Sequence, residues 1–490
     1  MKYILTIDAG TTSVRAVLYN VKTNQFEKIE KQPFTQIFPK PAWVEHDAEE
    51  IWQKVKECVL KVCKDINPKD IYGLGITNQR ETIVAWDKQT GKPLNNAIVW
   101  QCRRTSNFCM SLKKSKMSKI IHNKTGLIPD AYFSATKIKW LLDNVKAVKE
   151  AKKNKNLMFG TIESFLVYKL TEGRTFVTDI TNASRTMLFN IKDLKWDEDL
   201  LKFFDISKEM LPEVVDNDKV VGYTTLLGGE VKIAGLMGDQ QSSLFGQGCF
   251  EEGMAKNTYG TGCFMLVNTA DKIVKSKHGL LTTIAYKQNN KVVYALEGSV
   301  FNAGSVVNWA IDNIGIAKTP EELTKLAYEV DGNEGVYLVP AFTGLGTPYW
   351  DMNARAIVVG ITRSTDRRHI SRAVLESMAF SSYDVLRTMQ REIKGKIKEL
   401  HVDGGASENE NLMQFQCDLL QTTLNKYNQE STCLGTMFMT GLATKAFKDL
   451  KQIKNLLKAQ KTYKVKQSEK EVSVQLKNWH GAVKKCLRKI

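Results

Sequence analysis

The chain has 490 residues, 43% of them hydrophobic and 25% charged, the balance of a globular enzyme long enough for two large domains. No apolar run approaches the roughly 20 residues a membrane helix needs, and the first residues reach Asp8 too soon for a secretory leader, so no membrane insertion is expected. A net charge of +17 admits nucleic-acid binding, but the lysines are spread along the chain without interleaved aromatics. A Lys-rich surface around an anion-binding cleft is the better reading, with no nucleic-acid partner.

The nine cysteines have no metal-site spacing and read as reduced thiols of a cytoplasmic protein. The six histidines form no clustered ligand pattern, which argues against zinc.

In chain order, residues 3–8 read as a buried strand and Val14 to Tyr19 as a second one. Between them lies Asp8-Ala-Gly-Thr-Thr-Ser13. Gly10 lets the backbone approach a phosphate, and Thr11, Thr12 and Ser13 offer amides and hydroxyls to it. Asp8 can face a magnesium ion, directly or through water, and Arg15 can reach a phosphate oxygen. There is no GxxxxGK followed by Ser or Thr, so this is not a P-loop. A plain hairpin turn is the alternative, but it needs no run of three hydroxyls.

Residues 47–64 have helical spacing behind an Asp cap. Ile71 to Ile76 and Ile83 to Asp87 read as strands, and Arg80 and Glu81 fall between them, where charges must pair or bind something. Asn95 to Trp100 is another apolar stretch. Residues 106–124 are basic and helix-like. Tyr132 leads into a helix through Leu142, and a further helix runs from Ile162 to Leu170. Thr178 to Asn190 is polar and then strand-like, and Trp196 to Leu211 is read as helical.

Val231 to Met237 is a strand that ends in Gly238-Asp-Gln-Gln241. Alone this is a polar turn. Beside a phosphate turn and an Arg-Glu pair it is a place to hold a small polyol and take a proton from it. Ala255 to Val267 then repeats the opening design, strand, Gly-Thr-Gly turn, strand, which suggests a second domain built like the first. Gly298 and Gly304 precede a helix with Trp309, residues 344–351 form a loop, and His369 to Met389 is a long helix. Leu400 to Ser407 is a strand entering a Gly-Gly bend suited to a flat base, with a helix read from Asn411 to Leu424. Leu476, Trp479, Val483 and Leu487 share one helical face that docks on the core.

The ordered strings Asp8 to Arg15, Gly75 to Glu81, Ala97 to Arg104, Thr181 to Asn190, Gly238 to Gln241, Asn257 to Phe264, Pro340 to Gly346 and Val402 to Gly405 resemble the FGGY carbohydrate kinases of the actin-like ATPase superfamily, nearly end to end, and within them the glycerol kinases. The resemblance implies an α/β chain of two RNase H-like domains, 1–246 and 247–490, with the active site in the cleft between them. It implies direct transfer of the γ-phosphoryl group of ATP, with Mg²⁺, to glycerol, giving sn-glycerol 3-phosphate. Matching position by position, Arg80, Glu81, Tyr132, Asp239 and Gln240 hold glycerol, and Trp100 and Phe264 line its carbon side. Thr11, Thr12, Ser13, Arg15, Thr261, Gly304, Asn308, Gly405 and Asn409 hold ATP. Asp239 is the general base and Asp8 faces the metal. Ala9 and Asn308 depart from the usual Gln at both positions. Thr224 to Ile233 lacks the features tied in relatives to sugar-bisphosphate or phospho-histidine control, so neither control is expected. A homo-oligomer, dimer or tetramer, is expected by the same resemblance. A pentulose or tetritol kinase of the same family, and an actin-like ATPase without acceptor, are the rivals.

Overall fold

Runs of apolar and β-branched residues make the central strands; Tyr3–Ala9 is buried along its whole length, as a strand covered on both faces must be. The computed structural model describes residues 1–427 and 430–487 and is organised on two mixed sheets. The first runs Val220–Thr224, Val231–Gly238, Ile71–Asn78, Tyr3–Ala9, Ser13–Asn20, Gln25–Pro33. Its last three strands are antiparallel neighbours, whereas Tyr3–Ala9, Ile71–Asn78 and Val231–Gly238 run parallel.

The second sheet repeats this plan. Lys291–Val300, Cys263–Ala270 and Met254–Tyr259 form the antiparallel set. Glu399–Asp403 and Leu424–Lys426 follow in parallel. Leu281–Gln288 and Lys461–Tyr463 lie at its edges. The sequence echo between the two glycine hairpins is therefore a topological repeat, each hairpin joining the first two strands of its sheet. A smaller sheet, Glu45–His46, Ala97–Ile98, Ile83–Asp87 and Leu157–Thr161, is an addition to the first half.

The two halves exchange helices. Ser431–Ala443, late in the chain, lies on Tyr3–Ala9, Ile71–Asn78 and Val231–Gly238 of the first sheet. Glycines make room for it: a Cβ on Gly75 or on Gly235 would stand 2.2 Å from Thr440 Oγ1. Asp239–Gly246 in turn leaves the first sheet and packs on Leu281–Gln288, Met254–Tyr259 and Cys263–Ala270 of the second. The two helices cross at Gly246 and Gly435, where an added Cβ would meet Ser431 O at 1.9 Å and Ser242 O at 1.8 Å. A core of Ile4, Met237, Leu244, Phe245, Leu266, Met437 and Phe438 joins the halves around this crossing.

Several helices follow their sequence signals. Ala48–Val62 starts at Asp47, whose side chain accepts from the amides of Glu49 and Glu50. Ile162–Leu170 has the expected bounds. Glu469–Leu487 buries Trp479 and Val483 against the second core. Two expectations are corrected. The segment from Trp196 to Leu211 is not one helix: Glu198–Phe204 ends at Asp205, whose φ is 58°, and a short 3-10 turn Lys208–Met210 follows. The helix read from Asn411 to Leu424 is Glu410–Leu420. Gln421 takes a left-handed φ of 51° and ends it, which frees Leu424 to begin a strand.

Candidate active site

The polar cluster forms where parallel strands of the first sheet end. Ile71–Asn78 delivers Arg80 and Glu81 in the turn before Ile83–Asp87, and Glu81 has a φ of 59°. A left-handed Glu is costly and persists only where its surroundings over-determine it. Here Ser134 Oγ donates to its carbonyl at 3.1 Å and Arg185 Nε to its carboxylate at 2.7 Å. Val231–Gly238 delivers Asp239, which is not in a turn but opens the helix Asp239–Gly246 directly. The two strand ends are fixed to one support. Asn78 and Asn182 pair amide to amide at 3.1 and 2.9 Å, and Gly238 N donates to Thr181 Oγ1 at 2.9 Å.

Arg80 is the hub. Its Nε lies 3.1 Å from Asp239 Oδ1. Its Nη1 donates to Glu297 and to Gln241 Oε1 at 2.6 and 3.1 Å, and its Nη2 to Glu297 and to Tyr132 Oη at 3.0 and 3.3 Å. Arg80 is 2% exposed in its side chain, against 26% for Asp239, so the Asp carboxylate is the member open to the cleft. Burial, reinforced by Glu81 and Asp8 and opposed by Arg80 and Lys256, pushes the Asp239 carboxyl up to about 6. Gln240 pairs through its Oε1 with the buried Lys256 ammonium, which also donates to Thr258 Oγ1 at 2.9 Å. Burial brings that ammonium down to about 8. Trp100 packs edge-on to Tyr132 and Phe264, at 5.6 and 6.0 Å between centroids, and these rings wall one side.

The phosphate-turn candidate is tight and braced from behind. Gly10 N donates to Ser13 O at 3.0 Å, and Trp100 Nε1 donates to Thr11 Oγ1 at 3.1 Å. Thr12 is exposed at the tip and Ser13 begins the second strand. Gln79 Nε2 donates to Gly10 O at 3.0 Å and Gln36 Nε2 to Thr11 O at 3.1 Å. His46 joins these two glutamines, with Nδ1 3.2 Å from Gln79 Nε2 and Nε2 3.0 Å from Gln36 Oε1. Both contacts are satisfied by the neutral ring with its proton on Nε2. Burial brings His46 down to about 4, which keeps it neutral. Arg15 spans Asp8, with Nε 3.1 Å from Oδ2, and Glu430, 2.7 Å from Nη1.

Thr261, Gly304, Asn308, Gly405 and Asn409 line one cavity of ≈ 640 Å³ on the second half. The second hairpin tip seats the helix Gly304–Asp312: Gly304 N donates to Gly260 O at 3.0 Å and Ser305 N to Thr261 O at 3.2 Å. An added Cβ on Gly304 would stand 2.7 Å from Gly260 O, so only glycine permits this approach. Gly404, at a φ of 91°, turns the chain past Tyr259, and Gly405 then faces open space. Asn409 caps Glu410–Leu420 through Leu412 N at 3.0 Å. Val307, Leu375, Met378 and Leu412 give the cavity an apolar side.

Sequence reading missed Glu297, Arg185, Lys256 and His46. Each is a charged or titratable residue that is wholly buried. The signal was present for Glu297, an acid following the apolar run Val292 to Leu296 within a strand, and for Lys256 in the strand Met254–Tyr259.

Models of the N-terminal and C-terminal domains of the FGGY family of carbohydrate kinases match residues 3–246 and 255–444. The chain belongs to this family. It is 51% identical over 488 residues to a glycerol kinase of Oceanobacillus iheyensis, covering 98% of this chain and 97% of that one. It is 49% identical over 492 residues to glycerol kinase 2 of Thermotoga maritima, covering 99% of each. Among solved structures, Plasmodium falciparum glycerol kinase with ADP matches with a TM-score of 0.93 at 36% identity, over 100% of this chain and 99% of that one. A ligand-bound xylulose kinase from Lactobacillus acidophilus matches with a TM-score of 0.88 at 25% identity, over 99% and 97%. The paired sheets are thus the two RNase H-like, actin-like ATPase domains of an FGGY kinase, as the sequence strings implied. Among the described residues, no helix is long and apolar enough to cross a membrane.

Proposed function

We propose that the chain is an ATP-dependent glycerol kinase that forms sn-glycerol 3-phosphate by direct in-line transfer. The observation that carries this reading is the convergence of Arg80, Tyr132 and Asp239 on one pocket walled by Trp100 and Phe264. Relatives about half identical along the whole chain support it.

A primary alcohol is a weak nucleophile, and Asp239 accepts its proton late in the transfer. With a pKa of about 6, Asp239 is ionised at neutral pH and still basic enough to receive that proton. Arg80 and Tyr132 donate to the hydroxyls that are not phosphorylated, and Glu81 and Gln240 complete the set. A pocket that pairs every hydroxyl rejects an analogue that leaves a buried group unpaired. Thr11, Thr12, Ser13 and Arg15 receive the phosphates, and Thr261, Gly304, Asn308, Gly405 and Asn409 the nucleoside end of ATP. Among the described residues, no three His, Cys, Asp or Glu side chains converge as a metal cage. Asp8 at the phosphate turn is the single-carboxylate donor that fits Mg²⁺ carried by phosphates and water. Bound there, Mg²⁺ supplies neutralisation of charge on the transferring group. The reading takes 1–246 and 247–490 as the closing halves, water excluded between them, in a cytoplasmic homo-oligomer. Light scattering tests the assembly.

The experiment is Asp239→Ala assayed for ADP formation with saturating glycerol. A fall in kcat of about 10² or more is expected if Asp239 is the base; a near-normal kcat would remove it from that role.

A further inference from the structure

Two arginines and two glutamates beside Asp239 form a buried network. Glu297 takes Arg80 Nη1 at 2.6 Å, Arg80 Nη2 at 3.0 Å and Arg185 Nη2 at 2.8 Å. Arg185 Nε reaches Glu81 at 2.7 Å. Side-chain exposure is 2% for Arg80 and Glu81 and zero for Arg185 and Glu297. Burial pushes the Glu297 carboxyl up, but Arg185 and Arg80 outweigh it and hold Glu297 below the ordinary range. Glu297 is thus an anion balanced between two cations, a bidentate partner to one of them.

The contacts have a direction. Arg80 and Glu81 come from the first half, whereas Glu297 sits in Lys291–Val300 of the second sheet. That strand leads to Gly304 on the wall of the large cavity. With Glu297 holding both terminal nitrogens, Arg80 keeps its Nε side toward Asp239 and its Nη2 corner toward Tyr132. Without the Glu297 charge, Asp239, 3.1 Å from Arg80 Nε, is the nearest acid left to Arg80, ahead of Glu81 at 3.9 Å. The guanidinium, which meets Asp239 only through Nε, would then turn its terminal nitrogens to that carboxylate and fill the space an acceptor hydroxyl needs.

We propose that Glu297 is the positioning residue of the polyol pocket: it fixes the guanidinium of Arg80 from the second half of the molecule by both terminal nitrogens, so that Arg80 meets Asp239 through Nε alone. This rests on Arg80 being the polyol anchor.

Steady-state kinetics of the full chain test it, wild type beside Glu297→Gln and Glu297→Asp, with glycerol and ATP varied in turn. Glu297→Gln keeps the shape and removes the charge. Glu297→Asp keeps the charge and withdraws it by one methylene. The expected result is a glycerol KM raised about tenfold or more in Glu297→Gln, an ATP KM within about twofold of wild type, and Glu297→Asp between the two. A role in folding alone lowers the melting temperature without separating the two KM values. An unchanged glycerol KM, or both KM values rising together, overturns the inference. If Glu297→Gln does not fold, Glu297→Asp is read by the same criterion. The wild type tests the substrate separately: if it phosphorylates another polyol and not glycerol, glycerol is refuted and the same KM split, measured with that polyol, decides the role of Glu297.

Discussion

In the proposed transfer the chemistry depends on Asp239, a carboxylate whose neighbours oppose each other. Burial and two acids raise Asp239 to about 6, while Arg80 and Lys256 pull it down. A base works only when ionised, so kcat/KM for glycerol is expected to fall as pH drops through about 6 and to be flat just above it. A pH-rate profile that stays flat down to pH values near the ordinary carboxylate range would contradict this. His46 makes a second residue-scale case. It never faces the cleft, yet through Gln79 and Gln36 it holds the carbonyls of Gly10 and Thr11. His46→Ala frees the buried amide of Gln79 and the half-buried amide of Gln36 and loosens the turn. The ATP KM is expected to rise several-fold with the glycerol KM nearly unchanged, and separate titrations of the two substrates check it. The motif strings named Arg80, Asp239 and the hydroxyl turn because those residues are neighbours in sequence or in pattern. Glu297, Arg185 and His46 stand far from them along the chain, and only the fold brings them into contact.

Among the elements, the two crossing helices decide how the halves meet. Asp239–Gly246 opens with the proposed base, so its N-terminus both favours the ionised form and fixes where the group sits. Its far end is held by the Gly246–Gly435 contact, where backbone touches backbone. Gly435→Ala puts a Cβ 1.8 Å from Ser242 O, which cannot be relieved by a rotamer change. Overpacking of this kind costs about 1–3 kcal/mol and occasionally more. A lowered denaturation midpoint is expected, and an unchanged one would show that the crossing is looser than the geometry states. Strands and amphipathic helices such as Ala48–Val62 were legible because one face is apolar and a cap marks the start. Ser431–Ala443 was not, since residues on all its sides are buried and no periodicity marks it. The misread end of Glu410–Leu420 has a similar cause: a left-handed Gln, not the usual Gly or Asn, stops the helix.

At the scale of the molecule, the repeat explains why one chain has two glycine hairpins. The first brings hydroxyls to one side of the cleft, the second seats Gly304–Asp312 beside the large cavity, and each begins its own sheet. That plan was legible in the sequence echo, whereas the exchange of helices between the halves was not, because it depends on contacts between residues nearly two hundred positions apart, such as Ser242 and Thr436.

The most direct test of the account is ADP production by the wild-type chain from MgATP with glycerol, and in parallel with xylulose, ribulose, erythritol and no acceptor. Turnover with glycerol far above every other tube is expected, with sn-glycerol 3-phosphate formed in equal amount to ADP. Turnover with another acceptor in place of glycerol would keep the fold and the base but contradict the assignment of Arg80 and Glu81. Equal ADP in every tube, including the one without acceptor, would contradict the kinase reading itself.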